Sequence, residues 1–450
     1  MLAIIVDAAR AIISEEGLAE LDLSRVSHEL GVPSETVVAE IATTKDLLVA
    51  LDVPLVKVLD AFTVKHLEEL RPGLSTDSSL GAGIDPVSIL RALTRGYYEF
   101  ARERTHVFYS MVTETELPVS EGGSLGQGFH AKDSVTLQLA KEACANIIRK
   151  ETSSEPSLEL VEATILCWWA NIHGIVHLLA LGILRNLGSV VQTQLLLTAF
   201  ENFLDGLCYN LRTPVHVSTH ELVTKVARYV REHALKADEV IDDPERRQLM
   251  RGVRAEILKY GVDTLSLSGE AEAENVKLRE AAARFRSAMT YGEELERHLD
   301  RQMESFVETS IDLMGVDKSA AEVLCGIAAS YFTWALDYPD NLEAIVLVAT
   351  QSIVPTNFDR SDSDFEMGRA YSRMTDWFTQ AFIEEGAPKD AWLLFRQAVV
   401  GWATVLGISH LCSRGFLEQL PEERKFALLV HQSNIMVAGL MTSLHDGDSV

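Results

Sequence analysis

Apolar residues recur every three to four positions along almost the whole chain, which is the spacing of one helix face. Ile5, Ala8, Ala9, Ile12 and Ile13 form the first stripe, and Gly17 is expected to close that helix at the position after its C-cap. Two short helical stretches follow, 23–30 and 34–41, separated by Gly31-Val32-Pro33. The pattern then predicts one helix over 44–70, stopped by Arg71-Pro72-Gly73, and a loop over 76–85. Further helices are expected at 87–111, 134–149, 158–184 and 190–211, with a Gly/Ser-rich loop over 118–128. An amphipathic stretch at 221–237 leads to Asp242-Asp243-Pro244, a start signal for another helix. No segment needs a sheet, so the expected fold class is all-α.

The second half repeats the first. Trp169-Ala170-Asn171-Ile172-His173-Gly174-Ile175-Val176-His177-Leu178 returns as Trp402-Ala403-Thr404-Val405-Leu406-Gly407-Ile408-Ser409-His410-Leu411, an offset of 233. The same offset pairs Gly206-Leu207 with Gly439-Leu440, Leu211 with Leu444 and, on this register, Tyr98 with Tyr331. A repeat this long is a duplicated domain-sized unit and not a solenoid. Two copies of one helical protein are fused in a single chain.

Composition narrows the class. The N-terminus enters an amphipathic helix at once, without the charged start, apolar stretch and cleavage site of a signal peptide, and a cytoplasmic location is expected. The apolar run 165–184 contains Asn171, His173 and His177, so a buried bundle helix is expected there and no membrane partner. Five cysteines are scattered with no CxxC pair, the usage of reduced core thiols. The net charge of −26 argues against broad attraction to nucleic acid or anionic lipid, because a negative mean field repels phosphate. It leaves room for a local basic patch.

Three short helices before a longer one, with a glycine turn between the second and third, outline a helix-turn-helix DNA-binding module. On these residues the N-terminal segment resembles the TetR family of bacterial regulators. Ile5 through Gly17 is similar to that family's first helix, Val26 and Ser27 match its apolar and small positions, and Gly31-Val32 matches its turn. The second copy fits the same frame from Gly261: Ser266-Leu267 opens its second helix, Ala271 holds the small position, Asn275-Val276 the turn and Phe285 the aromatic position. The resemblance implies helix-turn-helix modules at 1–48 and 245–296, helical bundles at 49–212 and 297–450, and a linker with an extra helix at 213–244. It also implies that 158–184 with 190–211 packs on 392–411 with 421–444, an intramolecular pseudo-dimer whose interface includes Trp169, His173, Gly174, His177, Trp402, Gly407 and His410. Further association of two chains stays open.

Departures from the family bear on DNA. Its phosphate-holding tyrosine and lysine are replaced by Val38 and Thr44 in copy one, with Lys45 displaced by one residue, and by Ala282 and Ala288 in copy two. Glu35 and Glu40 occupy the first would-be recognition helix, where a carboxylate meets phosphate repulsion unless it finds a cytosine amino group. Copy two is basic there, from Lys277 to Arg286: Arg279 near the helix start suits base edges, and Arg284 and Arg286 near its end suit phosphates. Ser34, Thr36 and Lys45 are the candidates in copy one. Alternating charge on a solvated face is the plainer reading of 277–286.

Other candidate chemistry is thin. His173 and His177 stand four apart, a spacing that can chelate a metal, but copy two has Leu406 for the first and no adjacent carboxylate or cysteine, so hydrogen-bonded histidines and no metal are expected. No P-loop, CxxC or HExxH is present, and neither an enzyme nor a cofactor is expected. TetR-like bundles hold a small apolar effector, which here implies Tyr97, Tyr98, Phe108 and Trp168 in copy one and Tyr331, Phe332, Trp334 and Trp377 in copy two as candidate lining residues, against their plainer role as core. The resulting expectation is a ligand-responsive DNA-binding repressor acting as a single-chain pseudo-dimer. The alternative is a tandem that has lost DNA binding and works through protein contacts, as an antirepressor or a ligand-sensing adaptor.

Overall fold

The computed structural model describes all residues except 17, 52, 54, 71–82, 115–133, 214–217, 237–243, 261–290, 316–317, 350–368, 385, 388–389 and 447–450. The described residues form helices and turns, without a strand. The α-helices of the first copy are α1 (Leu2–Glu15), α2 (Leu23–Leu30), α3 (Ser34–Val38), α4 (Thr44–Ala50), α5 (Leu55–Leu70), α6 (Pro86–Glu103), α7 (Thr105–Glu114), α8 (Val135–Thr152), α9 (Leu158–Ala180) and α10 (Ser189–Arg212). There follow α11 (Ser218–His233), α12 (Pro244–Tyr260), α13 (Tyr291–Met314), α14 (Ala320–Asp337), α15 (Pro339–Ala349), α16 (Arg369–Glu384), α17 (Ala391–Ser413) and α18 (Glu422–Asp446). They gather into two compact units: Met1–Ile165 with Arg414–Leu420, and Leu166–Ser413 with Pro421–Val450. The division falls inside α9 and not in the connector 213–244.

Local chemistry sets most helix ends. Asp22 caps α2 by accepting from the Arg25 N–H at 2.6 Å, and Gly31 ends it at φ 63°, a left-handed conformation that costs glycine little. Thr43 and Asp46 form a reciprocal capping box on α4, and Ser319 and Glu322 do the same on α14. Pro86 and Pro244 each stand at the start of their helix, where a missing N–H is harmless.

Several stretches differ from the expected elements; α9, expected to reach 184, ends at Ala180 and a 3-10 turn follows at Ile183–Asn186. The third helix is shorter, ending at Val38, because the chain must turn extended at Thr43 to cap α4. The expected helix over 44–70 is two, α4 and α5; Pro54 lacks an N–H and disfavours helical backbone at the residue before it. The expected helix over 87–111 breaks at Arg104, whose backbone leaves the helical region at φ −126°, ψ 47°. Thr105 Oγ1 bonds back to the Ala101 carbonyl at 3.0 Å, a local interaction that bends helices. The expected stop at Gly17 and the glycine-rich loop 118–128 lie outside the described residues.

The helix bounds correct the register read from the letters. Helices α9 and α17 each span 23 residues and begin 233 apart, at 158 and 391. Around α6 and α14 the offset is 234: the N-caps are Asp85 and Ser319, and the C-caps are Arg104 and Tyr338. Tyr97, not Tyr98, is therefore the counterpart of Tyr331. One residue has entered between the two registers, which a count of matching letters overlooks.

In the first unit, α1–α3 form a small module and α5, α6 and α8 pack side by side, with α7 against α4, α5 and α6. Asp60 on α5 is 5% exposed and accepts from Ser134 Oγ at 2.8 Å, the Val135 N–H at 3.1 Å and the Thr136 N–H at 3.0 Å, anchoring the start of α8. In the second unit α10 lies along α18, and α17 is surrounded by α14, α16 and α18. The extra helix α11 buries Val223, Val226 and Val230 against α13 and α14. Its Arg231 grips Asp337 with two nitrogens and reaches Glu422 at 2.7 Å.

Among the described residues, three helices are long and apolar enough to cross a membrane by length and composition: Leu158–Ala180, Ala391–Ser413 and Glu422–Leu444. Their apolar windows are 89%, 72% and 50% buried within the protein, in that order.

The thiols follow burial. Cys144, Cys325 and Cys412 are each pushed up to about 12 by loss of hydration, and Cys167 is fully buried. Iodoacetamide at pH 8 should therefore label the folded protein at Cys208 alone, which is half-buried, and all five cysteines after denaturation. Peptide mapping by mass spectrometry reads this directly, and rapid native labelling of Cys144, Cys325 or Cys412 would contradict the packing.

Candidate functional site

Two places gather chemistry. The first is the α1–α3 module, where Ser27 Oγ donates to the Val32 carbonyl at 2.5 Å and Ser34 Oγ to Ser27 Oγ at 3.3 Å, tying α2 to the start of α3 across the glycine turn. Val37 anchors α3 in the core, leaving Ser34, Glu35, Val38 and Glu40 exposed and Thr36 and Lys45 half-buried. Arg25 is held by Glu16 and Glu29, and Arg10 pairs with Asp7. Residues 1–50 carry three basic and nine acidic side chains, net −6. Lys277, Arg279, Arg284 and Arg286 lie outside the described residues.

Arg104, at the break between α6 and α7, is a bundle residue that reaches this module. Its guanidinium lies 3.6 Å from the Asp22 carboxylate and 5.9 Å from the centre of the Phe62 ring. The sequence signal was weak, since one arginine in a charged run (Arg102-Glu103-Arg104) has no distinguishing spacing.

The second place lies in the second unit, where residues related by the repeat meet each other. Thr404 Oγ1 donates to Asn171 Oδ1 at 2.6 Å; these two are counterparts, 233 apart. A Cβ added to Gly174 would strike the Ala403 carbonyl oxygen, and one added to Gly407 would strike that of Ala170, the counterpart of Ala403. Gly206 and Gly439 sit in the same way against the carbonyls of Ile435 and Asn202, again counterparts.

Beside this seam His173 and His177 on α9 meet His410 on α17. His173 Nε2 is 3.0 Å from His410 Nδ1, and His410 Nε2 is 3.0 Å from Glu343 Oε2 on α15. All four side chains are at most 3% exposed. Loss of hydration, then the neighbouring imidazoles, hold His173 well below the ordinary histidine range. Loss of hydration and then His410 lower His177 to about 3, partly opposed by Glu343. The expectation that no carboxylate stands near these histidines is overturned: Glu343 is 67 residues from His410 in the chain, so no spacing rule reveals it.

Seven of the eight aromatic candidates are buried core residues. Tyr97 and Phe108 make an edge contact at 5.4 Å in the first unit, where Tyr98 is also buried. In the second unit Tyr331 and Trp334 lie 5.6 Å apart, and Trp334 Nε1 donates to Gln302 Oε1 at 3.1 Å. Phe332 contacts Phe426, Trp168 is buried and Trp377 is half-buried. None of the eight borders the cleft of about 570 Å³ between α10, α11, α14 and α18, whose apolar lining includes Leu222, Val437, Ala438 and Met441. The letters of a hydrolase nucleophile elbow do occur once, as Gly122-Gly123-Ser124-Leu125-Gly126, outside the described residues; that motif works on a strand–turn–helix, and no strand occurs among the described residues.

No protein-family model matches the chain, and no curated protein matches it.

Proposed function

We propose that the chain is a cytoplasmic, ligand-responsive transcriptional regulator of the TetR type, built as a single-chain tandem that supplies its own dimer interface. The observation that carries this reading is the α2–Gly31–α3 turn, with α3 exposed at the end of a helical bundle. The reciprocal glycine contacts support the tandem part, since fusion replaces dimerisation by an intramolecular contact at high effective concentration. A small apolar effector in the bundle would favour one of two arrangements of the chain, and through α6–α7 and Arg104 would shift the module capped by Asp22. DNA contact falls mainly to Lys277, Arg279, Arg284 and Arg286 of the second copy, leaving Ser34, Thr36 and Lys45 a minor part.

Selection of genomic DNA fragments on the purified protein, followed by anisotropy titration, tests this. A defined, asymmetric site bound at nanomolar concentration is expected. Arg279→Ala should then cost about 1–3 kcal/mol and relax one base position, whereas Arg284→Ala should weaken all sequences alike and flatten the salt dependence.

The net charge of −6 over residues 1–50 favours a second reading, in which neither module grips DNA and the chain acts as an antirepressor or ligand-sensing adaptor on a basic partner. Absence of any enriched site at low and moderate salt would select it.

A further inference from the structure

We infer that His173, His177 and His410 bind one divalent transition-metal ion of the zinc class, with Glu343 as the outer carboxylate. The two α9 histidines are one turn apart and share a face, and His410 enters from α17. One nitrogen from each lies within 4.8 Å of the others. The contact of His410 Nε2 with Glu343 fixes its tautomer and turns the Nδ1 lone pair inward, towards His173. A carboxylate holding the far nitrogen of a ligand histidine is the habitual outer layer of such sites.

His177 supplies an independent observation. It is 2% exposed, its ring centre is 4.7 Å from that of His410, and neither of its nitrogens has a hydrogen-bond partner. An imidazole has one donor and one lone pair, and burying both unmet is costly. An ion at the centre takes the lone pair.

The donor set is all imidazole, which suits zinc, cobalt, nickel and copper and not magnesium or calcium. Zinc–nitrogen bonds of about 2.0–2.1 Å need the nitrogens about 3.3 Å apart, which modest ring rotations reach from the present spacing. Three protein ligands leave a fourth position open. The charge of Glu343 offsets part of that of the ion, so the buried group is less costly than an isolated cation. Divergence of the copies made the site: the repeat supplies His177 and His410, but the counterpart of His173 is Leu406.

The test is cobalt(II) and zinc(II) binding by the untagged full-length chain, unfolded in chelator and refolded with and without metal. Expected are one cobalt per chain after gel filtration, the strong visible absorption of low-coordinate cobalt, its loss on adding zinc, and a metal-dependent rise in Tm. His173→Gln and His177→Gln should abolish binding, Glu343→Gln should weaken it about 10–100-fold, and His233→Gln, exposed on α11, should leave it unchanged. If the natively folded wild type takes up no cobalt and gains no Tm, the three histidines are a hydrogen-bonded core and the inference fails. It also fails if His173→Gln and His177→Gln bind as well as the wild type. Should His177→Gln not refold, the Tm rise and the weakened binding of Glu343→Gln decide, and the absence of both overturns the site.

Discussion

Gly174→Ala should destabilise the second unit by about 3 kcal/mol, and Gly407→Ala by a similar amount, at the upper end of overpacking costs. On an exposed helix the same change would gain about 1 kcal/mol of helix propensity. Here the added methyl meets a backbone carbonyl, that of Ala403 or Ala170, and backbone cannot rotate away as a side-chain tip can. The helices must separate, which opens the packing along the whole seam. Because the two glycines face each other, the double variant should cost clearly less than the sum of the singles. Gly188→Ser is the control: nothing lies within 4 Å of its added Cβ, and serine is a favoured N-cap, so stability should hold or rise by a few tenths of a kcal/mol. All six tryptophans lie between Trp168 and Trp402, inside the second unit, so urea unfolding followed by tryptophan fluorescence reads this unit alone. An unchanged midpoint in Gly174→Ala would mean that α9 and α17 are farther apart than described.

Asp60→Ala should be the largest single loss in the first unit, about 3 kcal/mol or more. The carboxylate is buried and meets one hydroxyl and two backbone N–H groups at the start of α8. Alanine leaves those donors buried without an acceptor, each carrying a penalty of about 1–3 kcal/mol before relaxation. Asp60→Asn keeps an acceptor but turns an NH₂ towards another donor, and should cost about half as much. The two units separate the signals: far-UV circular dichroism should show an earlier partial transition in Asp60→Ala, while tryptophan fluorescence stays at the wild-type midpoint. Coincident shifts in both would show that the units unfold as one.

Much of this fold is written in local pattern. The stripe from Ile5 to Ile12, the left-handed turn at Gly31, the prolines opening α6 and α12, and the matched bounds of α9 and α17 depend on residues within one or two turns of each other. Helix periodicity and capping act at that range, and the letters of α9 recur 233 residues on, so both the helical class and the repeat in the sequence are legible from letters alone. The break at Arg104 was not, since its cause combines a Thr105 back-bond with a pairing to Asp22, 82 positions earlier. Asp60 looks like an ordinary solvated carboxylate beside Lys57, because its real partners are 74 to 76 residues away. The histidine cluster needed three helices to converge. Spacing displays His173 and His177, and the repeat with the family resemblance sets His410 at the same interface, but nothing in the letters points to Glu343, which packing brings within 3.0 Å of His410. The sequence by itself thus determined what short-range forces control: helices, caps and the twofold repeat. Tertiary structure alone decided which polar groups share a buried space, because desolvation and hydrogen bonding act through distance in space and not along the chain.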